Sequence, residues 1–226
     1  RHQIQEGLFR RDIRSFRESV IREALLNAVT HRDYSLSGSI FIKQSPRRLI
    51  IESPGGFPPG ITVENILNAH NPRNKLVAEV FERCGYVERS GQGVNLMYEE
   101  SIKDAKMPPD YTESDNLAVR LNLWGEVQDV NFIKFIDTIN HETNVGLYAD
   151  DYILLDLVRR EQKIPKHLKN RLKTLRAHGV IKAVGQRKAT RYILSRGYYA
   201  FIDKKGTYTR IKGLDHETHK NLLLLH

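Results

Sequence analysis

Cysteine is almost missing: Cys84 is alone in 226 residues. One thiol excludes a disulfide framework and any Cys-rich zinc site, and it fits a reducing compartment, so a cytoplasmic location is expected. The nine histidines are scattered, with neither paired cysteines nor HExxH spacing, so no metal-ligating pattern is present. Long apolar runs are lacking too. The cleanest is "NLLLLH" at 221–226, far short of the ~20 residues that cross a bilayer, so no membrane association is expected. There is no signal pattern and no Met before Arg1, and the chain is expected to be a piece of a longer protein. Neither an internal repeat nor a low-complexity tract occurs. A GxxxxGK[ST] phosphate loop is also absent, which excludes a helicase motor on these residues.

What is there suffices for a core. Apolar residues make up 40% of the chain, enough for one large domain or two modest ones. The net charge of +9 is unevenly placed. Residues 159–212 hold 17 Lys and Arg against only Glu161 and Asp203, while the rest carries 19 basic and 25 acidic groups. Two domains with different partners are the simplest reading.

Periodicity supplies the elements. A helix over 16–30 precedes "GSIFIKQ" (38–44), an "SPRR" turn and "LIIES" (49–53), a β-hairpin pattern. Helices are expected over 61–70, capped by Thr62, and over 73–85, stopped by Gly85. A third opens from the glycine turn at 91 and runs to 105. Residues 116–124 alternate as a half-buried strand with Leu117, Val119, Leu121 and Leu123 on one face. Beyond it come a link with a helix over 130–140, helices over 150–162 and 165–179, and two strands over 180–195. Helix, helix ending in "HG", then a β-ribbon is the winged-helix order, although only "EQKI" separates the two helices, leaving no room for a middle one.

Within the first helix, "REALLNAVTHRDYS" sets Glu23, Asn27 and His31 at four-residue steps, one polar stripe on a single face. Ile21, Leu25 and Val29 form the neighbouring apolar stripe, expected to pack inward. "ESPGGFPPG" (52–60) puts Gly55 and Gly56 after a strand, where backbone can lie close to a ligand. "RSGQGV" (89–94) is a Gly-x-Gly turn at a helix start, with free N–H groups for an anion.

In this order the pieces resemble the GHKL (Bergerat) nucleotide-binding fold. "REALLNAVTHRDYS", "IIESPGGFPPGIT", "NPRN" and "ERSGQGV" are similar to the C-terminal region of bacterial proteins labelled RecG-like ATP-binding proteins or transcriptional regulators. The resemblance covers roughly residues 1–124, and the basic module also fits it. Longer members carry an upstream Schlafen/AlbA-like domain. The resemblance implies ATP and magnesium, with Asn27 chelating the metal beside the phosphates and Glu23 acting as general base toward water. It also implies a site containing His31, with Gly55 and Gly56 near the base and Gly91 and Gly93 near the phosphates. Ser53 stands where the family has an adenine-reading Asp, so weak discrimination between ATP and GTP is expected.

The expected fold class is therefore α+β: a GHKL-like helix-on-sheet domain (1–126), a helical linker (127–148), and a basic winged-helix-like domain (149–212). Residues 213–226 begin a further helix that packs on another domain or on a second copy of the chain. Lys166, Lys169, Arg171, Lys173 and Arg176 crowd the second basic helix, with Arg187, Lys188 and Arg191 on the ribbon. Leu168, Leu172 and Leu175 keep the spacing of a buried stripe, so the cations occupy the outer faces and DNA is the expected partner. Three functions stay open at this point: a DNA-binding transcriptional regulator with an altered ATP site, a magnesium-dependent ATPase that remodels a partner or dimer, and an interaction scaffold with a dead pocket.

Overall fold

A computed structural model describes residues 2–6, 9–86, 92–142, 146–185, 190–195 and 198. The chain divides into two units, one up to Gln128 and one from Asp129.

The first unit opens with an antiparallel hairpin, β1 (His2–Glu6) and β2 (Phe9–Ile13), for which the sequence offered no clear alternation. Helix α1 (Glu18–His31) follows. Its buried positions are Val20, Glu23, Ala24, Ala28 and Thr30, so the inward face is not the predicted Ile21–Leu25–Val29 stripe. The two alanines let the helix backbone approach the sheet. Ile21 and Leu25 pack on the flank of that contact. As a result the polar stripe borders the interior instead of bulk solvent.

The sheet has the order β3-β4-β5, built from β3 (Phe41–Gln44), β4 (Arg48–Pro54) and β5 (Ala118–Trp124), and is antiparallel throughout. Leu49, Ile51 and Ser53 alternate inward on β4 and sit opposite Leu123, Leu121 and Val119. Leu117, expected on the buried face, is 76% exposed. It precedes the strand, in a turn where the Asp115 carboxylate accepts from the Leu117 and Ala118 N–H groups.

Helix α2 (Lys75–Arg83) and helix α3 (Gly93–Lys103) fall where periodicity put them. Residues 61–70 do not form the expected helix; they are a run of turns. The Asn65 side chain accepts from Thr62 N–H and donates to Gly60 O, local bonds that hold the turn at 60–65. Thr62 therefore caps no helix.

In the second unit, α4 (Val130–Glu142), α5 (Ala149–Arg159), a 3-10 turn (Lys166–Leu168) and α6 (Lys169–Ala177) precede the antiparallel pair β6 (Ile181–Val184) and β7 (Arg191–Leu194). Phe132, Ile136, Leu154, Leu155, Leu168 and Leu175 are almost wholly buried and form its core. Gly179 ends α6 at φ +72°, the left-handed position glycine takes most readily. The class is thus α+β, as expected. Among the described residues no helix is long and apolar enough to cross a membrane.

Candidate functional site

The polar stripe of α1 lines one pocket. Glu23, Asn27 and His31 stand on one wall, over about 110 Å3 of internal space. Phe57, Ile66, Tyr111, Val119 and Leu121 make much of the rest apolar. That space is of the order of the ~150 Å3 that accepts a benzene ring, so a flat ring system could enter it in part, with the rest of a ligand leaving through the mouth. Eight residues at 1.5 Å rise put Glu23 and His31 roughly 12 Å apart along the helix.

At the Glu23 end, Asn27 Nδ2 donates to Glu23 Oε1 at 3.0 Å. The amide oxygen of Asn27 is then the atom left to accept, the ligand type that a hard cation takes. The Glu23 carboxyl lies hard against Gly93, the first residue of α3. A Cβ added at 93 would sit 1.5 Å from Glu23 Oε1, so only glycine allows the two helices this contact. Gly91 lies outside the described residues.

At the other end, burial above all holds the His31 imidazole down to about 4, with the charges of His70 and Arg73 acting the same way. The ring is therefore neutral at pH 7. His31 Nδ1 is buried without a hydrogen-bond partner among the described residues. Ser53 borders the same pocket, but its hydroxyl is turned away: Oγ donates to Ala28 O at 2.9 Å. Gly55 and Gly56 do not line the pocket. Gly55, at φ +92°, lets the chain pass Asp33, whose Cβ would lie 2.5 Å from an added Cβ, and Gly56 passes Asp115 O. The close approach that the glycines permit is to the protein's own backbone.

The sequence assigned no role to "NPRN" (71–74). Arg73 ties three segments together, donating to His31 O at 3.1 Å, Asp33 Oδ2 at 3.2 Å and Gly56 O at 2.8 Å. Asn74 Nδ2 donates to Thr30 O and Arg32 O, pairing carbonyls that the end of α1 leaves open. Asn71 and His70 are thereby carried to the pocket wall. A polar tetrad after a proline-rich loop was the available signal.

Ser53 yields a direct expectation. Ser53→Asp would set a carboxylate, which has no proton to donate, against Ala28 O in a site 5% exposed. It should cost about 1–3 kcal/mol in urea denaturation, while Ser53→Ala should cost about 1. Restoring the family's Asp would harm this pocket.

In the second unit a wide groove of about 790 Å3 runs between α6 and β7. Lys163, Lys169, Lys173, Arg176 and Arg191 line it, with Glu161 the one acid among its described lining residues. Arg176 also lies 5.9 Å from the Tyr192 ring. Lys166 is exposed outside this lining, and Arg187 and Lys188 lie outside the described residues. Arg171 differs from the expected outward cation. Its guanidinium grips the fully buried Asp151 with two hydrogen bonds and lies 5.6 Å from the Tyr148 ring. That pairing raises its already high pKa, and its charge is spent inside the unit.

The sheet beneath the Glu/Asn stripe falls in a segment similar to a family of ATPase-like domains, and that match indicates a GHKL-type, ATPase-like domain in the first unit. The family is the one described as "Putative ATP-dependent DNA helicase recG C-terminal", matched over residues 38–123, as the motifs implied. Helix α1 precedes the matched segment. Among solved structures, the DIP2311 protein from Corynebacterium diphtheriae is similar at a TM-score of 0.72 and 26% identity. The match covers 90% of this chain and 44% of that one, so this chain spans less than half of that relative's length. No curated protein matches the sequence.

Proposed function

We propose that the chain is a DNA-binding transcriptional regulator whose GHKL-type pocket holds ATP with magnesium and whose basic module holds DNA. The observation that carries the first half is the convergence of Glu23, Asn27, His31 and Gly93 on one pocket. The residues fit the group: the Asn27 amide oxygen for the cation, and a largely apolar lining for a ring. Bound MgATP would supply a polarised terminal phosphate. Asn27 would hold the cation, the α3 start would face the phosphates, and Glu23 would orient water. Five cations facing one groove support the second half, because solubility needs no such excess of one sign. In this reading the second unit is a winged-helix-like domain, with α6 and the β6–β7 pair presenting the phosphate-binding surface. Location in the cytoplasm and self-association belong to the same proposal.

A second reading, an active ATPase, is favoured by one contact. The Asn27 amide holds the Glu23 carboxylate in place at 3.0 Å, as a general base requires. Non-hydrolysable ATP analogues with magnesium should raise the melting midpoint of the full chain, and Asn27→Ala should abolish that shift. Glu23→Gln should keep the shift and remove any turnover. An undiminished shift in Asn27→Ala would sink the assignment.

The DNA half has its own test. Duplex affinity should fall with salt by close to one log unit per log unit of salt for each phosphate contact. Combined Lys169→Ala, Lys173→Ala and Arg176→Ala should flatten that slope by about three units. An unchanged slope would leave the scaffold reading in its place.

A further inference from the structure

Helices α2, α3, α5 and α6 end in the same motif: the residue after the cap is left-handed, and its N–H and the next one bond back into the last turn. In α2 and α6 that residue is glycine, Gly85 and Gly179. In α3 it is Ala105 at φ +49°, whose methyl is wholly buried and adds to the core. In α5 it is Glu161 at φ +54°, where Glu161 N–H donates to Val158 O and Gln162 N–H to Leu157 O. Glu161 is exposed, so no core packing offsets the strain of a Cβ in that conformation. Its carboxylate must be explained by something other than the backbone.

The side chain lines the groove between α6 and β7, the one acid there beside Lys163, Lys169, Lys173, Arg176 and Arg191. Among the described residues none of these five cations is in an ion pair, and the Glu161 carboxylate has neither a hydrogen bond nor an ion pair. Partial burial raises the Glu161 pKa and the charge of Arg191 draws it down. The groove therefore offers uncommitted charges of both signs. A surface that held phosphates alone would gain nothing from a carboxylate, which repels each of them. On a nucleic acid a carboxylate has one favourable use at a base, accepting from an exocyclic amino group such as cytosine N4.

We propose that Glu161 is the specificity-determining residue of the DNA groove, accepting a hydrogen bond from the exocyclic amino group of a base, cytosine N4, while the five cations hold phosphates. The proposal rests on the DNA reading of the same groove and adds which group reads a base. An exposed carboxylate is open to whatever enters the groove, and two backbone hydrogen bonds fix the helix end that presents it. Such a group lowers affinity for every sequence and restores it for one, so base reading and phosphate holding can be measured apart.

The full chain, as wild type, Glu161→Gly and Glu161→Gln, would be bound to a duplex pool with a randomised core, and base preference read from bound and free fractions at fixed salt. Glu161→Gly removes the carboxylate and suits the left-handed backbone, so the melting midpoint is expected not to fall. Glu161→Gln removes the charge and keeps an acceptor oxygen. Wild type is expected to favour a C·G pair at one position about tenfold, the effect of one base-edge contact. Glu161→Gly should lose that preference and bind the pool about threefold tighter, from one repulsive charge removed. Glu161→Gln should bind the pool as tightly as Glu161→Gly and keep part of the preference. An unchanged preference at every position in Glu161→Gly would overturn the role of Glu161 and leave DNA binding standing. A wild type without preference at any position would do the same. Failure of wild type to bind the pool at all would overturn the DNA reading and this proposal together.

Discussion

Asp104→Ala is expected to destabilise the first unit by about 3–5 kcal/mol, because it leaves the buried Lys106 ammonium without its counter-charge and strips the part-buried Arg17 of one of its two. Asp104 is 2% exposed and accepts from Arg17 Nε at 2.9 Å and Nη2 at 2.5 Å, and from Lys106 Nζ at 2.9 Å. Lys106 is itself 3% exposed and, among the described residues, keeps its hydrogen bond to Arg14 O and the more distant charge of Glu100 when the carboxylate is gone. Arg17 retains Glu100, which argues for the lower end of the range. The cluster joins the residue before α1 to the residue after α3, so its loss loosens the two helices that meet at Glu23 and Gly93. A drop of roughly 10 °C in the melting midpoint corresponds to this. Pairing Asp104→Ala with Lys106→Met should restore part of it, since no buried ammonium is then left. A loss under about 1 kcal/mol would mean that water reaches Lys106 freely.

The same carboxylate predicts an acid response. Burial pushes the Asp104 pKa up, but the hydrogen bonds and charges of Arg17 and Lys106 outweigh it, and the group sits below its ordinary value. A folded pKa below the unfolded one gives stability that is complete above the unfolded value and lost as pH falls through the folded one. Wild type should therefore lose stability below about pH 4, and Asp104→Ala should lose less over that window.

Arg171→Ala is expected to cost the second unit about 3 kcal/mol. Asp151 is fully buried, accepts from Arg171 Nε at 2.7 Å and from Nη2, and among the described residues keeps only Tyr148 N–H at 3.0 Å once the guanidinium is removed. That last contact starts α5, so the stranded charge sits at a helix end that the core depends on. Arg171→Lys should recover only part, because an ammonium offers no planar two-pronged fit. Lys169→Ala, at an exposed neighbour on α6, should stay within about 0.5 kcal/mol. Thermal melts of the three variants check this. A loss of DNA affinity in Arg171→Ala with an unchanged midpoint would return Arg171 to the binding surface.

Local signals made much of the chain legible. Helical periodicity found α1, α2, α3, α5 and α6, and strand alternation with turn residues found the β3–β4 hairpin and β5. These patterns are encoded within a few residues, and so were the Glu23–Asn27 step, the glycine that opens α3 and the excess of basic charge in the second half. The family resemblance rested on the same short motifs, and the match over 38–123 agrees with it.

What the tertiary structure decided was in each case a partner distant in sequence or a local bond that periodicity does not weigh. Ser53 is spent on Ala28 O, 25 residues back, and Arg171 on Asp151, 20 residues back. Arg73 reaches back about 40 residues to close the end of α1. Residues 61–70, which periodicity read as a helix, form turns, with the Asn65 side chain bonded to Thr62 N–H and Gly60 O. Gly55 and Gly56 make room for Asp33 and Asp115, which no spacing announces. Residue type states what a side chain can donate, accept or neutralise. Which group it meets depends on the packing of small residues such as Ala24 and Ala28, which set how closely α1 approaches the sheet and so turned its polar stripe from surface into pocket wall.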